Sequence, residues 1–72
     1  MKELYVPRHS AAVGKAIVEM GLPDDFLVIL VARGNEFLVP SGSTILQAED
    51  ILLTLSEAPS FTAVRQKFQL ED

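Results

Sequence analysis

Few residues in this chain of 72 carry reactive chemistry. Nucleophilic or hydrolytic catalysis needs a nucleophile within reach of a base, and a third group to orient that base. His9 is the sole histidine and cysteine is absent, so His9 reads as an ordinary loop residue and no catalytic residue is assigned. Four of the carboxylates form adjacent pairs in turns, Asp24-Asp25 and Glu49-Asp50. They lack both the spacing of a calcium loop and a histidine partner, and are expected to be solvated turn carboxylates with no metal site. Gly14-Lys15 resembles the end of a phosphate loop, but the upstream glycine and the following Ser/Thr of that motif are missing. It reads as a helix-start packing site. Arg33 stands apart because it ends the most apolar run of the chain beside a turn. Two readings are open for it: a fork of donors aimed at a phosphate or carboxylate, or a surface arginine at a strand end.

The elements that must position these groups follow from local pattern. Phe26 to Ala32 is a short apolar run rich in β-branched residues, bounded by Asp24-Asp25 and Gly34, as a buried strand is. Gly34-Asn35 separates it from Phe37-Leu38-Val39, and glycine at the first central position supplies the positive φ of a type II′ hairpin. Pro40 ends the second strand and Gly42 permits a bend before a short extended piece at Thr44 to Leu46. Gln47 to Asp50 forms a polar corner, with the Asp50 carboxylate able to bond nearby backbone, and Ile51 to Leu55 resumes a strand. Upstream, Glu3 to Val6 is a strand closed by Pro7. Val13, Ala16, Ile17 and Met20 have the spacing of an amphipathic helix within Ala11 to Met20. Either Ser10 caps that helix or Gly14 delays its start to about Val13; Gly21 fits its left-handed C-terminal position and Pro23 blocks continuation. Downstream, Ser60 is a candidate N-cap for a helix burying Phe61, Val64 and Phe68, with Gln69 to Asp72 as a tail. The expected fold is a small α+β domain of order β-α-β-β-(β)-β-α, a curved, mainly antiparallel sheet or partly open barrel with two helices, in one unit over residues 1–72.

Composition limits the partners. Ten acidic against six basic residues give a net charge of −4 without any Lys/Arg cluster, which argues against nucleic acid or anionic lipid. No apolar run approaches the roughly 18 to 20 residues that span a bilayer, and the N-terminus lacks a secretory segment. The chain is therefore expected to be soluble, without membrane insertion. A chain this short buries only about 60% of its unfolded surface, and with no cysteine it has neither disulfides nor a thiolate metal site to compensate. Self-association through a homodimer is the expectation. Absence of cysteine suits a reducing, cytoplasmic compartment.

The pattern of Ser10, Gly14-Lys15, Leu22-Pro23, the strand Val28 to Arg33, and Val39-Pro40-Ser41-Gly42-Ser43-Thr44 followed by Leu46 and Asp50-Ile51-Leu52 resembles the C-terminal regulatory domain of potassium-transport and potassium-channel regulators, the RCK or TrkA C-terminal domain. Two positions depart from that family's pattern: Glu49-Asp50 stands where Gly-Asp is usual, and Ser56 where glycine often follows the last strand. The wording from Arg33 to Ser56 is most similar to versions at the cytoplasmic C-terminus of bacterial cation/proton antiporters. The resemblance implies a non-enzymatic regulatory module that gates transport, pairs with a second copy, lies on the cytoplasmic side of the membrane and belongs to a longer polypeptide with an ion-translocating membrane portion. It also implies a ligand site at Val28, Ile29, Arg33, Asn35 and Pro40 for a small anionic effector such as a nucleotide or cyclic dinucleotide, with no other cofactor. A purely structural dimerisation or docking domain without a ligand is the competing expectation.

Overall fold

The computed structural model describes residues 1–69. Its sheet is four-stranded and antiparallel throughout, built from β1 (Lys2–Tyr5), β2 (Leu27–Arg33), β3 (Glu36–Leu38) and β4 (Ile51–Leu55) in the order β1-β4-β2-β3. The four main expected strands form, with boundaries within about a residue of those read from the sequence. Arg33 pairs with Glu36 across the hairpin, and Gly34 has φ 59 while Asn35 is not among the positive-φ residues. One positive φ, at the first central position, is the signature of the expected type II′ turn.

Strand alternation divides the sheet into two unlike faces. Leu4, Leu52 and Val31 align across β1, β4 and β2 and point inward, where they are buried with Val6, Met20, Phe26 and Leu46. One α-helix, α1 (Ala58–Gln69), covers this inner face with Phe61, Val64 and Phe68, as the spacing predicts. Lys2 lies over the Phe61 ring at 5.1 Å, holding the outer strand to the helix. The opposite face keeps Tyr5, Leu27, Ile29, Phe37, Ile51 and Leu55 exposed.

The start of α1 differs from expectation. The helix begins at Ala58, two residues before Ser60, and its cap comes from a distant turn: the Glu57 N–H donates to Asp25 Oδ2 at 3.2 Å and the Ser60 hydroxyl to Oδ1 at 2.8 Å. Asp25 thus satisfies donors at a helix N-terminus that a local side chain was expected to satisfy.

The larger correction concerns Ala11 to Met20. Only Ile17–Met20 is helical, as a four-residue 3₁₀ turn, so the two-helix expectation is met by a single α-helix. Gly14 adopts φ 86, which breaks a helix there, and Ala16 is extended and forms a bridge with Ile45. The Gly14 N–H donates to Leu46 O at 2.8 Å and the Leu46 N–H to Lys15 O at 2.9 Å. Gly14-Lys15 is therefore a pairing point for a distant segment, not a helix start. For the same reason Thr44 to Leu46 contributes this isolated bridge in place of a strand. Gly21 does take the left-handed conformation that ends the turn, and the Lys67 ammonium donates to Met20 O at 3.0 Å, tying α1 to it.

Candidate functional site

The five residues singled out from the sequence fall at two ends of the β2–β3 hairpin. Val28 and Pro40 meet at the open end. With Ile17, Leu22, Phe26, Leu27, Ser41 and Gly42 they line a cleft of about 220 Å³. β3 runs antiparallel to β2 with Val31 opposite Leu38, so the chain leaving β3 returns alongside the beginning of β2 and brings Pro40 to Val28. The cleft is apolar apart from Ser41 and backbone, as small-molecule sites commonly are. Its rim is a closed turn: the Ser41 N–H donates to Thr44 Oγ1 at 2.9 Å, and the Thr44 N–H returns to Ser41 O at 3.1 Å. Pairing fixes this bend against the 3₁₀ turn, since the Ile17 N–H donates to Thr44 O at 3.0 Å and the Val18 N–H to Gly42 O at 2.9 Å.

Ile29 sits at a register shift between Val28 and Leu30. A bulge inserts an unpaired residue and re-aims its side chain, and Ile29 is exposed beside Leu27. It borders the outer face and does not line the cleft.

Arg33 and Asn35 lie at the other end. Asn35 is exposed in the hairpin turn. Arg33 lies five residues along β2 from Val28, roughly 17 Å at about 3.3 Å per residue. Arg33 is also not free. Its Nε donates to Asp50 Oδ1 at 2.9 Å and its Nη2 to Asp50 Oδ2 at 2.8 Å, a bidentate pair, and Nη2 donates as well to Ile45 O at 2.9 Å. The hydrogen bond to Asp50 raises the guanidinium pKa further above its ordinary value, against a smaller opposing effect of burial. The Asp50 side chain is 1% exposed and that of Arg33 is 26% exposed.

Asp50 was expected to be a solvated turn carboxylate, and burial corrects that reading. Its expected bond to nearby backbone is present, since the Gln47 N–H donates to Asp50 Oδ2 at 2.9 Å. Three donors therefore converge on one buried carboxylate, which is what makes a buried charge tolerable. The sequence signal for this role was available: an aspartate at a fixed offset after the Pro-Ser-Gly-Ser-Thr bend belongs to the pattern of the family resemblance. Glu49, its neighbour, remains exposed and pairs with Arg8 at 2.9 Å. Among the described residues there is no group of three or more His, Cys, Asp or Glu side chains able to hold a metal ion.

Comparison with known proteins places this geometry in a family. The profile of the TrkA-C domain matches residues 1–69. A Trk system potassium uptake protein TrkA homolog of Archaeoglobus fulgidus is 34% identical over 64 residues, covering 89% of this chain and 15% of that protein. A K(+)/H(+) antiporter NhaP2 of Shewanella sp. (strain MR-4) is 36% identical over 69 residues, covering 92% of this chain and 12% of the antiporter. The chain thus spans well under a fifth of the length of either relative. The RCK_C domain dimer of S. agalactiae BusR in complex with c-di-AMP has the same fold, with a TM-score of 0.82 at 18% identity over 97% of this chain and 96% of that one. By profile and by identity across most of its length, the chain belongs to the TrkA-C domain family, the C-terminal regulatory domains of potassium-transport proteins.

Proposed function

We propose that this chain is the cytosolic regulatory domain of a bacterial cation (potassium)/proton antiporter or potassium transport system, and that it senses a small anionic effector as one of a pair of identical domains. The cleft carries this reading: an apolar pocket at Val28 and Pro40, open at the sheet margin, sits in a fold shared with a domain whose dimer is in complex with c-di-AMP. Regulation would operate by population shift, the effector favouring one arrangement of the paired domains and so biasing a transport gate in the membrane portion of the same polypeptide. No helix of the described residues is long and apolar enough to cross a membrane, so the transport step would lie elsewhere in that polypeptide. The domain would work on the cytoplasmic face, without catalysis and without nucleic acid as a partner.

Isothermal titration of the chain with cyclic di-AMP, other cyclic dinucleotides, mononucleotides and monovalent and divalent cations tests the reading, with sedimentation read in parallel. Saturable binding of a cyclic dinucleotide that shifts the chain toward a dimer is the expected result. Silence across the panel overturns the effector reading.

A second reading, a dimerisation domain with no ligand, is favoured by Arg33, because most of its fork is already engaged by Asp50 and Ile45. It is also favoured by the outer sheet face, whose exposed Leu27, Ile29, Phe37, Ile51 and Leu55 form an apolar surface of the kind that marks an interaction site. Dimer formation that is unaffected by every compound in the panel would select this reading, whereas a strict monomer at high concentration would exclude self-pairing in both.

A further inference from the structure

We propose that Arg33 is a positioning residue: its bidentate clasp on buried Asp50, together with its bond to Ile45 O, anchors the far end of the segment whose near end forms the wall of the Val28–Pro40 cleft. The argument starts from how Pro40 to Asp50 is held. At its near end the segment follows directly from β3, which is tied to β2 by the Gly34-Asn35 hairpin. In its middle it is sutured to the 3₁₀ region by four backbone hydrogen bonds of 2.8 to 3.0 Å, involving Gly14, Leu46, Ile17 and Val18 as donors. At its far end Arg33 reaches from the last residue of β2 to Ile45 and Asp50. Both ends of the segment are thus fastened to the same strand.

The position of the charges makes the positioning role distinct from direct recognition. A guanidinium that recognises an anion presents its bidentate edge to that anion, whereas here Nε and Nη2 both face a carboxylate that is 1% exposed. An incoming phosphate taking that edge would leave Asp50 buried with only the Gln47 N–H as donor, at a severe desolvation cost. The clasp is therefore part of the wall's foundation and is not displaced by ligand.

Opposite signs separate the two roles. If Arg33 contacted the effector, Asp50→Asn would release the guanidinium and remove a nearby negative charge, and anion binding would hold or tighten. If Arg33 positions the wall, Asp50→Asn weakens binding in the same direction as Arg33→Lys, a substitution that keeps the charge and loses the fork. Cyclic di-AMP is the probe, and this arm rests on the effector reading above. Expected is a fall in affinity of fivefold or more for both variants; unchanged or tighter binding by Asp50→Asn overturns the proposal.

Amide hydrogen exchange on the same variants provides a readout that needs no ligand. The expected result is that the Gly14 and Leu46 amides exchange at least tenfold faster relative to those of Leu4 and Val31 in either variant. A change confined to Arg33 and its turn, or a uniform change across the sheet, overturns the positioning role. Failure of the wild-type chain to bind any cyclic dinucleotide would count against the effector reading while the exchange pattern still decides the role of Arg33.

Discussion

The two ends of strand β2 present opposite solutions to the same problem of finishing a strand at a surface. At its beginning, Leu27 and Val28 border an apolar cleft, and Leu27 is 57% exposed. At its end, Arg33 is locked to Asp50 and to a backbone carbonyl, and no buried side-chain polar atom of the described residues lacks a partner. Apolar surface can be left open for a later partner at modest cost, whereas a buried charge has to be satisfied within the fold itself. The contrast divides the residues singled out from the sequence into a half that borders an open cleft and a half whose polar groups are closed by their own hydrogen bonds.

The largest effect that would break this contrast is expected at the closed end. Arg33→Met leaves Asp50 buried with one remaining donor, and should cost about 2 to 3 kcal/mol, at or just below the low end of the usual range because Arg33 keeps some solvent exposure. In a domain of this size that lowers the midpoint of thermal unfolding by more than about 10 °C. Asp50→Asn should cost roughly half as much, because a carboxamide oxygen can still accept from Gln47 and the freed guanidinium reaches water. Equal melting temperatures for the two variants would contradict the assignment of Asp50 as the buried member of the pair.

A smaller effect is expected at the turn between the halves. Gly34 has φ 59 and nothing within 4 Å of where a Cβ would stand, so Gly34→Ala tests backbone conformation without steric interference. It should destabilise by about 1 to 2 kcal/mol, read by urea unfolding. A neutral result would mean that the hairpin relaxes to another turn and that the register of Arg33 opposite Glu36 is not fixed there.

These turns also show what was legible in the sequence and what was not. The strands, the type II′ hairpin and the buried face of α1 were readable because each is encoded within a few residues: a β-branched run, a glycine at a required φ, an i, i+3, i+7 triplet at Phe61, Val64 and Phe68. The stretch Ala11 to Met20 misled because its helical spacing is real, with Ala16 and Met20 both buried, while the backbone groups that decide its conformation bond to Leu46, Thr44 and Gly42. Pairing over 24 to 32 residues leaves no local trace. The site was half legible for the same reason. Val28 and Pro40 were named, but Arg33's partner lies 17 positions away, and Ile17, Leu22 and Phe26 join the cleft only through the tertiary fold.

Glu49 offers a milder test of the closed end, with a gain as the expected outcome. It is the one non-glycine residue with positive φ among those described, at 71, and it stands where the family commonly has glycine. Left-handed backbone costs an L-residue about 1 to 2 kcal/mol, offset in part by the greater unfolded-state entropy of glycine. Glu49→Gly should therefore stabilise by about 0.5 kcal/mol, since the exposed ion pair with Arg8 contributes little. Destabilisation measured by chemical denaturation would show that the Arg8–Glu49 pair holds the corner more firmly than its exposure suggests.

The open end should respond in the reverse manner, with almost no change in folding and a large change in association. Leu27 lies opposite Leu55 across the sheet, and both side chains stand on the uncovered face. Because Leu27 is more than half exposed in the single chain, Leu27→Glu should alter folding stability by less than about 0.5 kcal/mol. In a dimer that covers this face, the same carboxylate would be buried without a partner, and several kcal/mol of desolvation would oppose pairing. Sedimentation velocity should then find the variant monomeric at concentrations where the parent chain pairs, with melting of the dilute monomer unchanged. Pairing that survives Leu27→Glu would move the self-association surface away from this face, to α1 or to the edge at β3.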